Sequence, residues 1–239
     1  MKFLEDKDFK LLKKLISLNQ WETKDFVFQY LNKIYSTIVE TPEYIFAKGN
    51  IPIALVAHMD TVFEDDSNER DFMYHTPEGV LWNPNGAGFD DKAGIFSIFK
   101  IIEEGYLPHV IFTTDEEIGS EGAWKLVEDF PTQPFGDLKY VVELDRANEY
   151  DCVFYDCKNE EFWSYIESFG FVRAFGTSSD VKHISFAWDI AGVNLSIGYK
   201  YQHTKDEILN IGAMFETISK VKRMLDDVDN LGCDFKYLT

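Results

Sequence analysis

The chain has 239 residues, 45% hydrophobic and 27% charged, a balance that supports a packed core and excludes a disordered polymer. Its 42 acids against 23 lysines and arginines give a net charge of −19, which excludes a nucleic-acid or anionic-membrane surface built on clustered cations. No apolar run approaches the roughly 20 residues of a membrane helix.

The N-terminus, Met1-Lys2-Phe3-Leu4-Glu5-Asp6, lacks the basic start and apolar middle of a secretory signal, so a cytoplasmic location is expected. Two amphipathic helices are predicted, Asp6 to Leu18 and Thr23 to Tyr35, with Thr23 as the N-cap of the second. Phe9, Leu12, Leu15 and Ile16 line one face of the first; Phe26, Phe28, Tyr30, Leu31 and Ile34 populate the second. Ser36–Glu40 and Tyr44–Ala47 read as a hairpin. Ile53 to Ala57 is a continuous apolar run, as in a central strand covered on both faces. Glu64 to Asn85 reads as a long loop, with a hairpin through Phe72–His75 and Val80–Trp82. Ala93–Glu104, Ala123–Phe130, Glu160–Phe169 and Ile208–Leu225 are predicted helices; strands are predicted at Val110–Phe112, Tyr140–Val142, Cys152–Tyr155 and Val193–Ile197. The alternation implies an α/β fold: one three-layer domain with a mixed, mostly parallel sheet between helices. Cys152, Cys157 and Cys233 are too few for a disulfide framework and read as ordinary thiols.

Five short segments carry chemistry. His58, Glu117 and Asp145 fall at or just past the ends of predicted strands, Asp90 just before a helix, and His203 six residues after a strand. In open α/β sheets ligands gather beyond the carboxyl ends of the strands, so these five converge on one sheet edge. His58 and Asp60, two apart, face the same side of an extended strand, where Asp60 would fix the tautomer of a metal-binding imidazole; a plain strand-end turn would read the same. Asn85-Gly86-Ala87-Gly88 bends the chain before Asp90, whose two oxygens could bridge two cations, while Asp91 reads as an acidic helix start. Of Glu116 and Glu117, one could ligate and the other take a proton from a metal-activated water, or both could be solvated loop acids. His75, His109 and His183 read as hydrogen-bonded structural histidines.

In order, Ala57-His58-Met59-Asp60-Thr61-Val62, Gly88-Phe89-Asp90-Asp91-Lys92-Ala93-Gly94, Thr114-Asp115-Glu116-Glu117-Ile118-Gly119, Asp145 and His203-Thr204 resemble the co-catalytic zinc exopeptidase superfamily. That group holds peptidase T, glutamate carboxypeptidases, aminoacylase and several aminopeptidases. The resemblance implies the zinc exopeptidase (phosphorylase/hydrolase-like) fold and two zinc ions, with cobalt or manganese as substitutes. His58 would bind one zinc, His203 the other, Asp90 both; Glu117 and Asp145 would complete the sites. Asp60 would orient His58, Glu116 would be the general base, and Asp90-Asp91 would be joined by a cis peptide. The spacing between Asp145 and His203 leaves no room for the lid or dimerisation domain of many relatives, so residues 1–239 are expected to form one catalytic domain with 1–49 packed on it. Without a lid, Tyr199, Tyr201 or His183 is the expected oxyanion donor, and Glu143 or Asp180 the partner of a substrate amine. The expected activity is hydrolysis of short peptides by an aminopeptidase. The alternatives are a carboxypeptidase or deacylase acting on N-acyl amino acids, and a non-catalytic binding module.

Overall fold

The computed structural model describes residues 5–63 and 73–239. Helices α1 (Asp6–Ser17) and α2 (Gln20–Leu31) lead into strands β1 (Ile38–Glu40), β2 (Tyr44–Ala47) and β3 (Ile51–His58). Short strands β4 (Tyr74–His75) and β5 (Val80–Trp82) precede helix α3 (Phe89–Glu103), β6 (Pro108–Thr113), α4 (Glu121–Asp129), β7 (Tyr140–Arg146) and β8 (Asp151–Val153). The chain continues through α5 (Glu160–Ser168), β9 (Val172–Arg173), α6 (Asp180–Trp188), β10 (Gly192–Ser196), β11 (Tyr199–Lys200), β12 (Ile208–Asn210) and α7 (Ile211–Asp227).

The main sheet runs β1-β2-β6-β3-β7-β10-β8-β9. Its centre, β6-β3-β7-β10, is parallel, as expected, and β2 and β8 flank it antiparallel. Alternate strand residues enter two cores. Leu55, Ala57, Phe112, Val142 and Leu144 pack with α1, α2, α3 and α7, while Ala54, Val56, Ile111 and Val141 pack with α4 and α6. Burial on both faces is why these strands read as unbroken apolar runs.

From β3 the chain crosses through α3 to β6 on one side, then through α4 to β7 on the other. Strand order therefore reverses at β3, and a crevice opens past the carboxyl ends of β3, β6 and β7. Gly94 lets α3 approach that crevice: a Cβ there would meet the Leu144 carbonyl and both carboxylate oxygens of Asp91. Gly94→Ala is expected to destabilise the protein by about 1–3 kcal/mol, read as a lower urea midpoint at unchanged m-value.

Several boundaries differ from the sequence expectation. Helix α2 begins at Gln20, because Asn19 and Glu22 form a reciprocal capping box (2.9 and 3.1 Å); Thr23 is instead a buried residue of the helix. The expected helix from Ile208 starts at Ile211, since Ile208 and Leu209 pair with Trp82 and Leu81 of β5 and Asn210 caps α7. These strands form a second, antiparallel sheet, β11-β12-β5-β4. Its β4–β5 hairpin matches the one expected, apart from Phe72, which lies outside the described residues with the rest of 64–72. Helix α6 was not expected. Among the described residues no helix is long and apolar enough to cross a membrane.

Candidate active site

His58 is the last residue of β3 and fully buried. Its Nδ1 lies 3.1 Å from Asp60 Oδ1, and its Nε2 lies 3.0 Å from Asp90 Oδ1 and 3.4 Å from Asp145 Oδ1. His203 approaches from the loop between β11 and β12, half exposed and with a left-handed backbone (φ 62°). Its Nε2 lies 3.2 Å from Asp90 Oδ2 and 2.9 Å from Glu117 Oε2. The five expected ligands thus meet in one crevice. Each Asp90 oxygen faces a different imidazole, and each imidazole Nε2 has one further carboxylate beside it, Asp145 at His58 and Glu117 at His203.

Grouping by proximity alone, within 4.8 Å, also brings His58 together with Glu117, and with Asp91. The shorter pairings decide between these arrangements. Glu117 is in direct contact with His203, and both Asp91 oxygens accept backbone amides, from His58 (3.3 Å) and Gly94 (2.9 Å). Asp91 therefore serves the start of α3. The Asp90–Asp91 peptide is cis, as the resemblance implied.

The segment after β6 is shaped by hydrogen bonds. Asp60 accepts the backbone amides of Glu116 (3.1 Å) and Glu117 (3.0 Å) on separate oxygens. Just before them, Asp115 is left-handed (φ 58°), and Gln20 of α2 holds it from both sides: its amide donates to Asp115 Oδ1 (3.0 Å) and its carbonyl accepts from Asp115 N (2.9 Å). Lys92 of α3, fully buried, donates to the Met59 carbonyl and to Thr23 of α2 (2.7 Å).

The electrostatics are those of a cation site. Burial opposes charge on His58, but Asp145 and Asp60 outweigh it and hold the imidazole well above its usual range. Hydrogen bonds donated to Asp90 and Glu117 lift His203 to about 10. Burial, reinforced by Asp145, Asp180 and Asp90, pushes Glu116 up to about 9. Burial also opposes charge on Asp60, yet the His58 pairing and two backbone amides hold it at about 2. Glu117 Oε1 is buried with no hydrogen-bond partner among the described residues. An orphaned carboxylate oxygen, two imidazoles and clustered acids fit divalent cations, which would neutralise them together.

A cleft of about 200 Å³ opens on this cluster, lined in part by Asp90, Glu116, Asp145, Arg146, Ser178 and His203. Two earlier expectations, the oxyanion donor and the amine partner, are not met there. Tyr199 lines the cleft, but its hydroxyl is committed to Asp145, donating to the carbonyl (2.7 Å) and lying 3.1 Å from Oδ1, so it braces a candidate ligand. His183 packs on Trp124 (4.3 Å between ring centroids) on the α4–α6 face, and Tyr201 is largely exposed; neither lines the cleft. Glu143 and Asp180 are fully buried beneath it, bonded to Ser179 (2.5 Å) and to Thr113, and cannot reach a substrate amine. Sequence reasoning also missed Asn194, whose Oδ1 accepts from Asp145 N (3.0 Å), and Glu207, whose carboxylate accepts amides of the Asp90 turn.

Residues 54–161 match the model for Peptidase family M20/M25/M40. The match spans four of the five segments singled out in the sequence, and the resemblance read from them is borne out. No curated protein matches the chain. Among solved structures, a tripeptidase from Staphylococcus aureus superposes with a TM-score of 0.73 at 13% identity, over 95% of this chain and 99% of that one. The aminopeptidase PepT from Bacillus cereus gives 0.71 at 14% identity, over 94% and 98%. An aminopeptidase from the archaeon Desulfurococcus kamchatkensis gives 0.70 at 12% identity, over 95% and 98%. At these identities the likeness is one of fold, and it is the zinc exopeptidase fold.

Proposed function

We propose that the chain is a di-zinc metallopeptidase that removes N-terminal residues from short peptides. One observation carries the reading: Asp90 faces His58 with one oxygen (3.0 Å) and His203 with the other (3.2 Å), and Asp145 and Glu117 flank the pair, one on each side. His58, Asp90 and Asp145 would hold one cation, and His203, Asp90 and Glu117 the other. Nitrogen and carboxylate donors suit zinc, and cobalt and manganese accept the same set. Bound there, the cations would supply Lewis-acid polarisation of the scissile carbonyl and an acidified water.

The chain's own residues supply the rest. Asp60 fixes the His58 ring by its 3.1 Å contact at Nδ1. Glu116 takes a proton from the attacking water and returns it to the leaving amine. Acidic lining (Asp90, Glu116, Asp145) favours a cationic α-amine, and the small cleft favours a short substrate. Residues 146–202 are used up by the strands and helices already described, which supports a single, lidless catalytic domain over residues 1–239.

Arg146, beside Asp145 in the same lining, favours a second reading, in which a substrate carboxylate is gripped by a carboxypeptidase or an N-acyl amino acid deacylase. Steady-state kinetics on unblocked, N-acetylated and C-amidated tripeptides, with zinc, cobalt or manganese added, separate the two. Under the leading reading N-acetylation lowers kcat/KM by about 10²-fold and a chelator abolishes turnover. Faster cleavage of the N-acetylated peptide would select the second reading. Absence of any chelator-sensitive hydrolysis would leave a binding module.

A further inference from the structure

We propose that Glu207 is a positioning residue that ties the loop carrying His203 to the turn carrying Asp90, and thereby sets the geometry of the His203–Glu117 half of the site; the inference rests on the two-cation reading above.

Glu207 is fully buried and does not line the cleft, so it touches neither substrate nor solvent. Its oxygens are divided between two backbone amides far away in sequence: Oε2 accepts from Gly88 (2.7 Å) and Oε1 from Asp90 (3.0 Å). The turn they belong to is tight. Gly88 is left-handed (φ 67°), and a Cβ on it would press on Thr61 Oγ1 at 2.7 Å. A carboxylate whose two oxygens each take a backbone amide, from residues two apart, specifies one conformation of that turn and so one direction for the Asp90 side chain.

The other end of the tether is equally defined. Glu207 N donates to the Thr204 carbonyl (3.2 Å), Thr204 Oγ1 donates to the Tyr201 carbonyl (2.6 Å), and the next residue, Ile208, is paired with Trp82 in the small sheet. His203 stands four positions before Glu207, half exposed, on the same folded loop. A closed circuit results: Asp90 amide, Glu207 carboxylate, the loop back to His203, and His203 Nε2 to Asp90 Oδ2. His58 has no such dependence, because β3 and Asp60 fix it independently. Breaking the circuit at Glu207 should therefore loosen one half of the site more than the other.

The test is zinc stoichiometry and affinity, measured on the full-length protein by mass spectrometry of bound metal and by chelator competition. Wild type should bind two zinc ions. Glu207→Ala and Glu207→Gln should keep one at near wild-type affinity and bind the other about 10–100-fold more weakly. The isosteric glutamine should be nearly as damaging as alanine, because its NH₂ group would face an amide donor; a purely volumetric role would spare Glu207→Gln. Combining Glu207→Gln with His203→Ala should weaken the second zinc no further than His203→Ala alone. In wild-type protein, which needs no variant to fold, the amides of Gly88 and Asp90 should exchange slowly even after chelation. Folded Glu207 variants that hold both ions with wild-type affinity, equal weakening of both ions, or fast exchange of those two amides would overturn the proposal. Wild type that binds no zinc would overturn the two-cation reading itself, before any variant is made.

Discussion

Glu116→Gln is expected to lower kcat by about 10³-fold while leaving KM and bound zinc unchanged. The expectation follows from how Glu116 is held. Its backbone amide is fixed on Asp60 Oδ1 (3.1 Å), the left-handed Asp115 before it is clasped by Gln20, and its side chain lines the cleft, whereas its neighbour Glu117 is the acid in contact with His203. Glutamine keeps the volume and the backbone contacts but cannot accept a proton, so the substitution removes general-base chemistry and little else. The acidic limb of the kcat–pH profile should vanish with it. Loss of zinc in the same variant would make Glu116 a ligand, and a kcat within tenfold of wild type would remove it from the mechanism.

The second large effect concerns stability. Burial raises Glu116 to about 9, Asp180 to about 7 and Glu207 to about 7, all above their unfolded values, and hydrogen bonds donated to Asp90 and Glu117 raise His203 to about 10. A group whose pKa is raised on folding binds more protons folded than unfolded, so its contribution is complete at low pH and disappears as pH climbs through the folded value. All four act in the same direction: Asp180 and Glu207 as pH rises to about 7, Glu116 as it rises to about 9, and His203 from its usual 6.5 up to about 10. Asp60, held at about 2 by His58 and the backbone amides despite burial, acts oppositely, but only as pH falls from about 4 to 2. Chelated protein should therefore lose on the order of 10 °C in Tm between pH 5 and pH 9. Saturating zinc should flatten the slope, because the cations take over the role of the bound protons. A Tm of chelated protein that stays level or rises over that interval would contradict this account.

What could be read from the residues alone was whatever has a local signature. Strands β3, β6 and β7 are apolar because they are covered on both faces, and ligands at their ends follow from parallel-sheet geometry. Asp60 was readable because residues two apart in an extended chain share a side. Helix α6 had a usable signal that went unread: Val181, Ile184 and Trp188 at helical spacing, all now buried. The capping box Asn19-Gln20-Trp21-Glu22 had one too. Strand β12 had none, since Ile208 and Leu209 continue the helical pattern of α7, and only pairing with β5 draws them into a sheet. Glu207, Asn194 and the buried Glu143–Asp180 pair were illegible for a common reason. A carboxylate or amide that serves another segment's backbone is recognisable only once the two segments have met. The proposed amine partners failed on the same point, for nothing local distinguishes an acid facing a cleft from one beneath it.

Helix α2 has a polar face turned inward: Gln20 on Asp115, Thr23 on Lys92 behind Met59, and Lys24 on Glu40 (2.8 Å). Engineers seeking a minimal hydrolase by trimming everything ahead of β1 would thus discard the keystone of the arch rather than an ornament. The shortened polypeptide would retain every candidate ligand, yet the segment that carries Glu116 and the backbone between His58 and Asp60 would be left without their buttress.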